Sequence, residues 1–81
     1  MKPQTTLAMI GIVINNINRY GRDNPEWQDL VFDKGNESMG ISHKIYQGES
    51  IVMREPTLRD MLHTLEGYYI AQSIERSGRS D

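Results

Sequence analysis

The segment TLRDMLHTLEGYYIAQSIERSG, residues 57–78, predicts one long helix because both of its ends carry the residues that helix ends require. Thr57 can accept a hydrogen bond from the N–H groups of the first turn, and Asp60 follows three residues later as in a capping box. Pro56 disfavours helical structure before that turn. Gly78 can adopt the left-handed conformation that ends a helix. We therefore predict a helix from Thr57 to Gly78.

The apolar surface of this helix changes sides halfway along. The first half has the single apolar stripe of a core-facing helix, formed by Leu58, Met61, Leu62, Leu65 and Tyr69. After Gly67 the helix gains a second apolar surface, formed by Tyr68, Ile70, Ala71 and Ile74. A helix that is apolar on every side must be covered on every side, and a chain of 81 residues has few elements to spare. These four residues are therefore predicted to form the interface of a symmetric homodimer. The alternative is that another element of the same chain covers Ile70 and Ile74.

A pattern of leucine, glutamate, tyrosine-isoleucine and a closing glycine runs through the helix, in LRDML (58–62), Leu65-Glu66, Tyr69-Ile70 and SIERSG (73–78). This pattern resembles the first helix of the Fis-type domain at the end of many transcriptional activators. In that family the helix dimerises. The resemblance covers about a quarter of the chain and does not include a helix-turn-helix. It therefore implies a dimerisation element without the part of the family's domain that contacts DNA.

The N-terminal stretch LAMIGIVI, residues 7–14, is rich in β-branched residues, but its apolar spacing is helical. Apolar side chains recur at three- and four-residue steps, at Leu7, Ile10, Val13, Ile14, Ile17 and Tyr20. The polar residues off this stripe are Asn15, Asn18 and Arg19. Thr5 or Thr6 can cap the start and Gly21 can close the end, so we predict a helix from about Thr6 to Tyr20.

The middle of the chain predicts a three-stranded antiparallel meander. Leu30-Val31-Phe32 is the first strand, and a turn cluster follows at residues 33–36. The second strand is predicted from Met39 to Tyr46, where alternate residues place Met39, Ile41, His43 and Ile45 on one face. Gln47-Gly48 suits a tight hairpin turn, and Ile51-Val52-Met53 forms a short third strand. Before the sheet, Asn24-Pro25-Glu26 is typical of a helix start and predicts a single helical turn around Pro25 to Gln28.

These elements predict an α+β fold in which an N-terminal helix, a three-stranded antiparallel meander and a C-terminal helix form two layers. Residues 1–81 are expected to form one small domain, with residues 77–81 as a frayed tail. In this arrangement Met39, Ile41 and Ile45 face the helices. Trp27 is predicted to close one end of the core with its indole N–H at the edge, and the alternative is an aromatic anchor for a partner.

The chemistry-bearing residues do not form a motif for catalysis or metal binding. His43 and His63 could join Asp60, Glu66 or Glu49 in a site of two histidines and one carboxylate, but they lack the local spacing of a motif such as HExxH. A satisfied or solvent-facing histidine is the favoured interpretation of each. The chain has no cysteine, no GxSxG elbow and no phosphate-binding glycine loop. We therefore predict no catalytic residues, no metal and no cofactor, and a protein that is not an enzyme.

Charge does not identify the partner. The chain contains nine Lys and Arg residues and eleven Asp and Glu residues, which gives a net charge of −2. A DNA-contacting surface could be assembled from Arg19, Arg22, Lys34, Lys44 and Arg54, but acidic residues are interleaved with these cations, and a solvated mixed surface is favoured. No apolar segment reaches the roughly eighteen residues needed to span a bilayer, and the N-terminus does not resemble a signal peptide. A cytoplasmic protein is expected.

The sequence therefore predicts a small non-enzymatic module that binds another protein. Such a module would act by masking or bridging its partner, as an inhibitor or regulator carried by a phage or mobile element does. The predicted partner-binding residues are Trp27, Lys44, Tyr46, Gln47 and Glu49. The alternative is a small dimer that binds nucleic acid or regulates transcription.

Overall fold

Two helices pack on one face of a three-stranded sheet in the computed structural model, which describes residues 5–79. The elements in chain order are helix α1 (Thr6–Gly21), strand β1 (Leu30–Asp33), a 3₁₀ helix (Glu37–Met39), strand β2 (His43–Gln47), strand β3 (Ser50–Glu55) and helix α2 (Leu58–Arg79). The strands form one antiparallel sheet in the order β1-β2-β3. The predicted α+β order of helix, three-stranded meander and helix is confirmed.

Both helices begin at the threonine caps that the sequence indicates. The Thr5 hydroxyl accepts a hydrogen bond from the N–H of Ala8 at 3.1 Å, and the Thr57 hydroxyl accepts one from the N–H of Asp60 at 3.0 Å. The far end of α2 differs from the prediction, because the helix continues through Gly78 to Arg79. The last two residues of the predicted tail, Ser80 and Asp81, lie outside the described residues.

The core lies between the sheet and the two helices. Its buried apolar residues are Ile10, Ile14 and Ile17 of α1, Leu30 and Ile45 of the sheet, and Met61, Leu62 and Leu65 of α2. Phe32 and Met53 complete the inward face of the sheet as partly buried side chains. Val31 alternates with Leu30 and Phe32, so it points away from the helices and is exposed. Ile51 is also exposed and pairs with Tyr46, because a bulge in β3 between the Ile45–Met53 and Tyr46–Ile51 pairs interrupts the alternation.

Asn18 is buried, although it lies off the predicted apolar stripe of α1. Its amide group makes two hydrogen bonds to the backbone of Leu30: the Leu30 N–H donates to Oδ1 at 2.7 Å, and Nδ2 donates to the Leu30 carbonyl at 3.0 Å. The side chain thus hydrogen-bonds both backbone groups of Leu30, the first residue of β1, which offsets the cost of burying an amide. This pairing fixes β1 against α1.

The predicted start of the second strand is wrong. Met39 belongs to the 3₁₀ helix and is 71% exposed, Ile41 is 44% exposed, and β2 begins only at His43. Turn chemistry overrides the alternating pattern here. Asn36 caps the 3₁₀ helix by accepting a hydrogen bond from the Met39 N–H, and Gly40 follows it with a φ of 72°. Of the three residues predicted to face the helices, only Ile45 is buried.

The two remaining connections are turns. The predicted helical turn at Asn24 is a non-helical turn, in which the Asn24 side chain accepts a hydrogen bond from the Glu26 N–H at 3.0 Å. The predicted hairpin joins β2 to β3 through two residues, since Gln47 pairs with Ser50. Gly48 takes a φ of 64° in this turn, a conformation that favours glycine.

Candidate functional site

The two halves of α2 differ in burial. Met61, Leu62 and Leu65 are buried in the first half. Residues 66–78 contain no buried residue, and all except Tyr69, Gln72 and Ser73 are exposed. We call residues 66–79 the C-terminal half of α2. This half lies largely on the surface of the molecule, and its partly buried Tyr69 packs against the core.

Three side chains of the C-terminal half hold it against α1 and the turn that follows α1. The Tyr69 ring stacks on the Tyr20 ring with centroids 5.9 Å apart. The Gln72 side-chain NH₂ donates to the Ile17 carbonyl at 3.1 Å. Arg76 donates to the Tyr20 carbonyl at 3.2 Å and forms an ion pair with Asp23. These contacts orient the helix without burying the apolar side chains on its other sides.

Tyr20 is the centre of this attachment. The guanidinium carbons of Arg76 and Arg19 lie 4.7 Å and 5.3 Å from the Tyr20 ring centroid. A hydrogen bond from the Tyr69 hydroxyl, followed by the hydrogen bond and charge of Arg19, lowers the pKa of Tyr20 below its usual value. The same Tyr69–Tyr20 hydrogen bond raises the pKa of Tyr69, because Tyr69 acts as the donor.

A groove of about 510 Å³ lies beside the C-terminal half of α2. Its apolar lining includes Trp27, Tyr68 and Ala71, and Arg76 lies at its polar side. Trp27 packs on the core and directly against Gly21, where a Cβ atom would lie 2.2 Å from the indole ring. The groove therefore brings together three of the residues that the sequence predicts for binding, one for the partner and two for the dimer.

The indole N–H of Trp27 is buried, so the prediction that it stays at the edge of the core is wrong. It makes no hydrogen bond of ordinary geometry among the described residues. The indole contributes to the lowered pKa of the Asp29 carboxyl group, although the hydrogen bond from Arg22 is the main cause. Trp27 thus contributes a partly exposed ring surface to the groove, and its indole N–H does not line the groove.

The residues predicted for the dimer interface all lie on the surface of the single chain. Ile70 is 58% exposed and Ile74 is 67% exposed, whereas Tyr68 is 37% exposed and Ala71 is also exposed. At 100° per residue, the arc from Ile70 through Ile74 and Ala71 to Tyr68 spans about 160° of the helix surface. Within residues 5–79 no element seals the two isoleucines, so the alternative of coverage by the same chain does not describe this structure.

The other predicted partner-binding residues lie on the sheet, away from the C-terminal half of α2. Lys44 and Tyr46 occupy the outer face of β2, opposite the helices. Gln47 is on the inward side and donates to the Gln28 carbonyl at 2.9 Å. Glu49 is exposed in the hairpin turn. The structure therefore separates the predicted partner-binding set into the Trp27 groove and the outer sheet face.

His43 has a structural environment. It is fully buried and lies beside the Phe32 ring, with centroids 6.0 Å apart. Its Nδ1 accepts a hydrogen bond from the Gly35 N–H at 2.9 Å, which places the ring proton on Nε2, 3.2 Å from a Glu37 carboxylate oxygen. Both ring nitrogens are thereby satisfied, and His43 ties the turn at Gly35 to β2.

His63 lies elsewhere, exposed on the first half of α2. In the part of the chain that the structure describes, no group of three or more His, Cys, Asp and Glu residues is arranged to hold a metal ion. The structure thus does not bring the two histidines together with Asp60, Glu66 or Glu49.

The cations considered for a DNA surface are dispersed. Arg22 forms an ion pair with Asp29 at 2.5 Å, and Arg19 donates to the Asn16 side chain at 3.2 Å. Lys44 and Arg54 are the exception, because they are direct partners across β2 and β3. This pairing places two positive charges next to each other on the sheet.

The comparisons with known proteins do not identify a relative: no family model, no curated protein and no solved structure matches the chain. Over the described residues, none of the helices combines the length and apolar character required to cross a membrane.

Proposed function

We propose that this protein is a non-enzymatic interaction module that forms a homodimer through the C-terminal half of α2 and binds another protein, which it masks or bridges. The observation that supports the dimer is the exposure of Ile70 and Ile74, one turn apart, in a segment, residues 66–78, without a buried residue. Branched aliphatic side chains gain free energy when they leave water, so a surface that groups them favours association.

The position of the groove supports a two-fold arrangement. In an isologous dimer the same patch of each copy contacts its equivalent, so each copy supplies both the ridge and the recess. Ile70 and Ile74 form the ridge, and Trp27, Tyr68 and Ala71 line the recess beside it. Two helices that pack antiparallel would place the ridge of one copy against the recess of the other. Gly67 has open space around it, so it does not obstruct such an approach.

The test is the substitution Ile74→Asp, measured by light scattering on a size-exclusion column and by circular dichroism. A carboxylate at the centre of the interface would lose its water on association, so we expect the mass to fall from two chains to one while helical content is kept. The matched control is Ile12→Asp, because Ile12 is an isoleucine on α1 that is 46% exposed and lies away from the patch. The control variant should keep the mass of the unmodified protein.

Two results would contradict the proposal. A mass of one chain for the unmodified protein at micromolar concentration would remove the dimer. Unfolding of the Ile74→Asp variant would mean that Ile74 stabilises the single chain, in conflict with its exposure in the structure.

A further inference from the structure

The outer face of the sheet carries two rows of side chains that cross all three strands. Cross-strand partners form the first row, Val31, Tyr46 and Ile51, and the second row, Asp33, Lys44 and Arg54. On β1 and β2 both rows point away from the helical layer, because Phe32 and Ile45 between them pack on the core. On β3 a bulge adds Val52 beside Met53, so that Ile51 and Arg54 still pair with Tyr46 and Lys44. We call these six residues the outer sheet face.

The first row is apolar although it faces solvent. Val31 is 58% exposed, Ile51 is 41% exposed, and Tyr46 between them is half-buried. An antiparallel sheet with one face on a core normally presents polar residues on its other face. Three adjacent apolar side chains across three strands therefore form a surface that gains free energy when a partner covers it.

The second row has an excess of positive charge. Lys44 and Arg54 lie directly opposite each other on β2 and β3, and like charges in that position repel. Neither cation forms an ion pair with any residue from 5 to 79, and Asp33 is the one acidic side chain in the row. Acidic groups on a partner would relieve this repulsion.

We propose that the outer sheet face binds an acidic amphipathic helix of another protein. Neighbouring strands are about 4.8 Å apart, which is close to the rise of about 5.4 Å per helical turn. A helix laid along the first row can thus place the apolar residues i, i+3 or i+4, and i+7 over Val31, Tyr46 and Ile51. Along β1 and β2 the second row lies two residues, or about 6.7 Å, away, so acidic residues on that flank of the helix would meet Lys44 and Arg54.

This inference specifies the partner in the proposed function and rests on that proposal only in taking the partner to be a protein. It is independent of the dimer, because the outer sheet face and the C-terminal half of α2 lie on different elements. Single-stranded nucleic acid is the competing occupant, since Tyr46 could stack on a base and the two cations could meet phosphates. The apolar side chains on both sides of Tyr46 favour the helix.

The experiment uses two stapled helical peptides with the same leucine positions, one carrying glutamates on the flank and the other lysines. Each is titrated into the isotopically labelled full chain, and amide chemical shifts are followed by nuclear magnetic resonance. We expect the acidic peptide to bind at least about tenfold more tightly than the basic peptide, with shift changes centred on Val31, Tyr46 and Ile51. Lys44→Glu with Arg54→Glu should reverse this preference. The control, Arg59→Glu, changes an exposed arginine on α2 and should leave the preference unchanged.

Each other outcome overturns the inference. Equal binding of both peptides, or of neither, would remove the charge argument, and the mapping on the unmodified chain gives this answer even if the double variant does not fold. Shift changes at the outer sheet face with an oligothymidine, in the absence of acidic-peptide binding, would assign the face to nucleic acid. Shift changes there that depend only on protein concentration would assign it to a second copy. The mass measured in the same sample reports separately on the dimer.

Discussion

The two halves of α2 share one continuous helix but differ in what surrounds them. The first half places Met61, Leu62 and Leu65 in the core. The C-terminal half is held by the stacked Tyr20 and Tyr69 rings and by polar contacts, and its isoleucines face solvent. The first half thus supplies free energy of folding, whereas the second offers apolar surface for association.

This difference shows that one continuous helix can contribute to the core along one half and offer surface for association along the other. Burial on one stripe is enough to fix the first half, because Met61, Leu62 and Leu65 of that stripe are buried in the core. The second half has apolar side chains around about 160° of its surface, and one neighbouring helix can cover only part of this arc. The division between the halves occurs at Gly67, where the stripe widens.

The largest expected difference between the halves is in folding stability. Leu65→Ala would leave a cavity in the core and should lower the free energy of unfolding by about 2–5 kcal/mol. Ile70→Ala, measured at a concentration low enough to keep the chain monomeric, should change it by less than about 0.5 kcal/mol. Urea denaturation followed by circular dichroism gives both values. Equal losses for the two variants would remove the distinction between the halves.

Arg76 is expected to anchor the C-terminal half. Arg76→Ala removes the ion pair to Asp23, the bond to the Tyr20 carbonyl and the contact with the Tyr20 ring, so it should cost about 1 kcal/mol of local stability. Hydrogen exchange should become faster at residues 70–78 and stay unchanged at 61–65. Arg59→Ala removes an exposed arginine of the first half and should change neither segment.

Gly67 tests whether the junction between the halves is an ordinary helical position. It lies in open space, so Gly67→Ala should raise the free energy of unfolding of the monomer by about 0.4–1 kcal/mol, because alanine has less backbone freedom to lose. Gly40→Ala is the matched control and should lower it, since Gly40 has a φ of 72°. A loss at Gly67 in a thermal melt would show that the junction needs glycine.

The smallest expected effect is on the titration of Tyr20. Its pKa is lowered chiefly because the Tyr69 hydroxyl donates to it, so Tyr69→Phe should raise the pKa of Tyr20 towards its usual value. Ultraviolet titration should show one tyrosine with a low pKa in the unmodified protein, and Tyr20→Phe should abolish it. If the pKa of Tyr20 stayed the same in Tyr69→Phe, the two hydroxyl groups would not be hydrogen-bonded.

Much of this fold follows from local patterns in the sequence. The threonine caps, the helical spacing and the hairpin glycine each act within a few residues, so the sequence predicts α1, α2 and the hairpin near their observed positions. The failure at Met39 and Ile41 has a local cause as well. The residues from Asn36 to Gly40 favour a capped 3₁₀ turn, and this turn forms instead of the strand that the alternating pattern predicts.

Other features depend on contacts between distant residues, which periodicity does not reveal. Asn18 is buried because its amide meets Leu30, twelve residues away. His43 can be buried because the Gly35 N–H and a Glu37 carboxylate oxygen form hydrogen bonds with its ring nitrogens. The candidate site is a mixed case. The sequence identifies the apolar surface of α2. Only the tertiary structure shows that Trp27 and Tyr68 line one groove and that Lys44 and Arg54 are cross-strand partners.

The most direct test of the central claim is amide hydrogen exchange of the unmodified chain at two protein concentrations, one well above and one well below the midpoint of dimer formation. Association should protect only the surface that it covers. We predict that exchange at residues 68–76 slows as the concentration rises, while exchange at residues 61–65 stays constant. The same exchange rates at both concentrations throughout α2 would contradict the assignment of its C-terminal half as an interface between two copies.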